Sequence, residues 1–182
     1  MCLLGIDSCG DVIKVIDTFA SLMTIAGVLL AIYIAARWKT QENYSFIRDK
    51  IFDLELAASE FYNQEIYYIL TFRNIARERR SGAYIDQHIH TEIKHRLTKL
   101  QECLKEYDIK LRGLQVLEVK YDKNLLEPGD TVHSHFDEIV EKVKATNDPN
   151  KIIEDFEKIY LIQANSAKSL VLEHLKLLRN SV

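Results

Sequence analysis

The residues best suited to chemistry in this chain are its six histidines and the acids spaced around them. Glu92 and His95 form an E-x-x-H, and Asp130 and His133 a D-x-x-H; on a helix the members of each pair share one face. Two E-x-x-H pairs plus a Glu from each of two further helices make the ligand set of a di-iron carboxylate bundle, and Glu60 or Glu65 is placed to supply one such Glu. The chain departs from that pattern. It holds one true E-x-x-H, Asp130 falls at a candidate helix cap, and His95 flanks a strict leucine seam. His88 with His90, and His133 with His135, are H-x-H pairs whose members point about 200° apart on a helix, so neither chelates as it stands. Protonation of these histidines below pH ~6.5 can still bias the packing around them.

No phosphate-binding loop, nucleophile elbow, HExxH or kinase signature occurs. No nucleophile with a convergent base stands out. The expectation is a protein that is not an enzyme, with no catalytic residue, metal or cofactor; a di-metal oxidase is the enzymatic alternative. Cys2 and Cys9 can pair in an oxidising compartment, Cys103 reads as a free thiol, and no C-x-x-C is present.

Two further features stand out by position. Glu65 sits where a hydrophobic seam expects an apolar residue, with Lys99 or His95 opposite in an antiparallel register. Either the seam shifts locally to Ile66 and Ile69 and leaves Glu65 in solvent, or Glu65 is paired and fixes register between helices or subunits. Arg73, Arg77, Arg79 and Arg80 cluster at the tip of one helix. They compensate a helix C-terminus, or they contact an anion, a nucleic acid or a partner. Without interleaved aromatic platforms a nucleic-acid role is confined to that tip.

The elements that position these residues follow from how little punctuation there is. Of 182 residues, 6 are Gly and 2 are Pro, far too few for a turn-rich β architecture. Net charge is −3 on 24 basic and 27 acidic residues, so the whole chain does not attract nucleic acid. The apolar residues are concentrated. Residues 18–36, TFASLMTIAGVLLAIYIAA, carry no charge and as a helix span about 28 Å, close to the hydrocarbon thickness of a bilayer. The flank before them is acidic (Asp7, Asp11, Asp17 against Lys14), unlike the basic start of a signal peptide. After them come Arg37, Lys39, Arg48 and Lys50, which the positive-inside rule keeps in the cytoplasm, and Tyr33 and Trp38 suit that interface. The reading is a short outer tail (1–17), one transmembrane helix (18–36) and a cytoplasmic domain (37–182), placed in the cell (inner) membrane. Within the span, Gly27, Ala31 and Ala35 recur every four residues, a small-residue ridge on which two such helices can approach.

The remainder reads as all-α, an antiparallel bundle of about four helices. Ile47, Ile51, Leu54, Ala58, Phe61, Tyr68, Phe72 and Ile75 form a seam on one long helix that ends at Ser81-Gly82. Span and stalk together read as one rigid rod. Ile93, Leu97, Leu100, Leu104, Tyr107, Leu111 and Leu114 make a second seam on a helix expected from Tyr84 to Leu126, set opposite so that Phe61 nears Cys103 and Leu104. Glu127-Pro128-Gly129 breaks the chain, and Asp130 or Thr131 caps a third helix with Val132, Phe136, Ile139 and Val143 inward. Asp148 and Pro149 open a fourth, running to about Leu178 with Ile153, Phe156, Tyr160, Ala167, Val171 and Leu178 inward.

In layout, with its short acidic tail, a span ending IYIAARWK and a long helical domain, the chain resembles small single-pass membrane effector proteins of bacterial anti-phage defence systems, including retron-associated ones. The resemblance implies a membrane-perturbing effector held inactive by partner components; it assigns no residue a role. The function expected is a membrane-anchored interaction protein that forms homo-oligomers and meets a cytoplasmic protein partner. The alternative is a signalling or scaffold module that recruits such a partner to the membrane.

Overall fold

The computed structural model describes residues 6–80, 87–145, 154 and 156–182. Among them it is all helical, with no strand. Four helices follow in order: α1 (Ile6–Arg80), α2 (Gln87–Val116), α3 (Gly129–Ala145) and α4 (Leu161–Ser181), the last entered through a π-helical turn, Phe156–Tyr160. The chain divides into two units, Met1–Ser45 and Phe46–Val182.

α1 contains Gly10 and Gly27 but no proline, so no backbone donor is lost along it. The helix includes residues 6–17, the stretch expected to lie outside the membrane. Its described residues run to Arg80; the expected end at Ser81-Gly82 lies outside the described residues, as do Tyr84, Asp148, Pro149 and Ile153.

α2 is shorter than its sequence suggested. It stops at Val116 rather than Leu126. Glu118 turns left-handed at φ 55°, its N–H bonds to the Gln115 carbonyl (3.0 Å), and the Val119 N–H reaches back to the Leu114 carbonyl (3.1 Å). This pair of bonds is a Schellman cap, with Val119 packing against the core that also holds Leu114. The cap is normally announced by Gly, and Glu118 hides it.

The return to α3 is tied to α2. Tyr107 Oη donates to the Glu127 carbonyl (2.9 Å), and the Gly129 N–H donates to Asp108 Oδ1 (2.8 Å). The Pro128 carbonyl accepts from Thr131 and Val132 N–H, so the first turn starts at Gly129 and Asp130 sits inside that turn rather than capping it. A Cβ on Gly129 would lie 2.9 Å from Leu104 Cγ; glycine is what lets the start of α3 lie this close to α2.

In the second unit one core gathers side chains from all four helices. α1 buries Ile51, Leu54, Ala58, Phe61, Tyr68 and Ile75 from the expected seam, with Ile47 and Phe72 partly buried against them. It also buries Tyr62 and Ile69, off that seam, because three helices rather than one pack on this part of α1. α2 contributes Leu100, Tyr107, Leu111 and Leu114; α3 Val132, Phe136 and Val140; the last segment Phe156, Ala164, Val171 and Leu175. Cross-contacts to α2 run Asp53 to Lys110, Glu60 to Lys99 and Tyr67 to Arg96, numbers rising on one helix as they fall on the other. Those to the last segment do the same: Glu55 to Arg179, Asn63 to Lys168, Arg73 to Phe156.

Candidate functional site

Two places in the described residues depart from what an ordinary helical domain does with its side chains. The first lies in the first unit. Twelve large apolar side chains between Ile16 and Trp38 are exposed, Phe19 at 64% and Leu29 at 62% among them. At about 1.5–3 kcal/mol per side chain, their unrealised burial is on the order of 20 kcal/mol, more than the whole stability of a typical domain. Among the described residues this is the one helix long and apolar enough to cross a membrane, and none of its most apolar stretch is buried.

The polar groups within residues 18–36 are arranged in keeping with that. Thr18 Oγ1 donates to the Lys14 carbonyl (2.7 Å), Ser21 Oγ to Asp17 (2.8 Å) and Thr24 Oγ1 to Ala20 (2.8 Å). Each hydroxyl is satisfied by its own helix, so none needs water. Gly27, Ala31 and Ala35 are exposed, and a Cβ on Gly27 would meet nothing within 4 Å. The small-residue ridge is open in the single chain.

The second place is in the core of the second unit. Glu65 is fully buried, and its Oε1 lies 2.8 Å from Nδ1 of His133 on α3. Its expected partners are both elsewhere: Lys99 pairs with Glu60 at 3.5 Å, and His95 is exposed. The reading in which Glu65 is left to solvent is therefore corrected: the extra helix packed on α1 covers this position. His133 turns its other nitrogen outward, Nε2 being 3.6 Å from Asp137 Oδ2, and its ring lies 5.8 Å from that of Tyr68. Burial raises the Glu65 carboxyl above its usual range, opposed by the hydrogen bond and charge of His133. The hydrogen bond to Glu65 raises the His133 imidazole. Burial pushes the Tyr62 phenol up to about 12, and burial together with Asp137 raises Tyr68. The arrangement can hold one proton between a fully buried acid and a partly exposed imidazole.

The other residues singled out by sequence are dispersed. Glu92 holds Arg96 (2.9 Å), His135 faces Glu127 (3.7 Å), and His174 Nε2 accepts from the Asp122 N–H (3.3 Å). The side chains of His88 and His90 lie outside the described set, as do those of Cys2 and Cys9. Cys103 is half-buried, its thiol raised by burial and then by Glu60. Among the described residues no three His, Cys, Asp or Glu side chains converge to hold a metal ion. At the arginine tip, Arg73 lies over the Phe156 ring (5.2 Å) and bonds Asn74 Oδ1, so it is engaged within the unit. Arg77, Arg79 and Arg80 fall in the last turn of α1, with side chains outside the described set.

No protein-family model matches the chain, and no curated protein and no solved structure matches it.

Proposed function

We propose that the protein is a single-pass membrane-anchored interaction protein. Residues 18–36 cross the cell membrane, residues 1–17 face outward, and residues 37–182 form a cytoplasmic antiparallel four-helix bundle. The observation that carries this reading is the bare apolar segment from Ile16 to Trp38, in which the hydroxyls of Thr18, Ser21 and Thr24 are bonded within the helix. Arg37, Lys39, Arg48 and Lys50 on one flank support the orientation, and the opposed numbering of the contacts to α1 supports the bundle. Homo-oligomers form through Gly27, Ala31 and Ala35, where close backbone approach replaces the hydrophobic drive that lipid does not supply. In layout this suits an effector of a bacterial anti-phage system, acting on the membrane when released by a cytoplasmic partner. The test is alkaline carbonate washing of membranes carrying the full chain: it stays in the pellet if the segment is inserted, and its release into the supernatant overturns the proposal.

A second reading, a scaffold that recruits a cytoplasmic partner, draws on α4. Ile162, Leu170 and Leu177 are exposed there at 55–63%. If it holds, the partner is retained after the Gly27 ridge is disrupted; loss of both together favours the oligomeric effector.

A further inference from the structure

α3 is held to α1 by ring contacts and by polar ties, among them a hydrogen bond between Tyr68 and Asp137. Tyr62 meets Phe136 edge-on at 6.0 Å, Tyr68 leans on the His133 ring at 5.8 Å, and Glu65 joins His133 at 2.8 Å. The polar ties that fasten α2 and the last helix to α1 use the ammonium groups of Lys99, Lys110 and Lys168 and the guanidinium of Arg179. The tie from α3 to the buried Glu65 uses an imidazole. Its proton sits between a carboxylate with no solvent exposure, whose Oε2 has no hydrogen-bond partner, and a ring that is 27% exposed and open to exchange with solvent.

We propose that Glu65 and His133 form a proton-operated clasp that fastens α3 to α1 and loosens as the surroundings become alkaline. With one proton in the pair, as imidazolium with carboxylate or as imidazole with carboxylic acid, the buried site carries no net charge. Remove that proton and Glu65 is a buried anion facing a neutral ring. The carboxylates that bear on the pair, Asp130 and Asp137 of α3, add to that imbalance, while the phenols of Tyr62 and Tyr68 on α1, held protonated by burial, add no charge. Both partners are raised in the folded chain, His133 by its bond to Glu65 and Glu65 by burial. A group raised on folding stabilises fully below its unfolded value and loses that contribution as pH climbs through the folded one. For His133 the loss therefore begins above about pH 6.5.

The test is amide hydrogen exchange on the full-length protein in detergent, corrected for intrinsic rates, between pH 6 and 8.5. Protection of the Val132–Val140 stretch of α3 should fall several-fold as pH rises, while protection around Val171 and Leu175 holds. Glu65→Gln should keep α3 protected with no pH dependence; should that variant fail to fold, His133→Gln is read for the same loss of slope. Flat α3 protection in the unaltered protein overturns the clasp. So does an equal loss in α3 and α4, which marks global unfolding, and so does a Glu65→Gln variant that keeps the full slope.

Discussion

Glu65 Oε1 and His133 Nδ1 lie 2.8 Å apart between helices 68 residues distant in sequence, and the Glu65 side chain has no solvent exposure. A carboxylate in such a place is tolerated because its partner neutralises it, and the partner's removal exposes the full cost of burying the charge.

His133→Ala should accordingly lower the free energy of unfolding by about 3 kcal/mol near neutral pH, since it strands Glu65 in the core. The double variant Glu65→Leu, His133→Leu should lose less than about half of that, because it removes both polar groups together. Denaturant titrations of the three proteins decide it. A double variant as unstable as the single one would mean that packing, not charge, is what the pair provides.

Two glycines should answer alanine in opposite directions. Gly129→Ala places a methyl 2.9 Å from Leu104 Cγ and 3.2 Å from Asp108 Oδ1, and should destabilise by about 1–3 kcal/mol. Gly113→Ala meets nothing within 4 Å inside α2 and should stabilise by about 0.5–1 kcal/mol. Thermal melts read both, and a neutral Gly129→Ala would contradict the close approach of α3 to α2.

On the proposed membrane face, Gly27→Leu with Ala31→Leu should leave the fold of the second unit unchanged while cutting cross-linked oligomer in native membranes several-fold. Leucine keeps the segment apolar, and Gly27 has open space for it within the single chain. Undiminished cross-linking would move the oligomer contact elsewhere.

Much of the fold was legible because it is periodic. An uninterrupted α1, the strict seam of α2 and the break at Pro128-Gly129 follow from local rules. Even the pairing of α1 with α2 was readable, since a short connection fixes which residues can meet; Phe61 stacks on Tyr107 at 5.3 Å, about one turn from its expected neighbours Cys103 and Leu104. The end of α2 was not, because a glutamate rather than a glycine takes the left-handed cap position. Nor was the partner of Glu65. A seam announces that a polar residue is anomalous but not which distant helix answers it, and His133 had drawn notice only through its spacing from Asp130 and His135. Nor were the bonds of the Thr18, Ser21 and Thr24 hydroxyls to carbonyls four residues back, which close them within the helix and depend on side-chain geometry.

The central claim is that residues 18–36 cross the membrane with the second unit inside the cell. Single cysteines placed at Ser8 and Ser45, with Cys2, Cys9 and Cys103 replaced, test it directly with a membrane-impermeant maleimide on intact cells. Labelling of Ser8→Cys in intact cells, and of Ser45→Cys only after permeabilisation, is the predicted result. Equal access to both sites before permeabilisation, or labelling of Ser45→Cys alone, would contradict it.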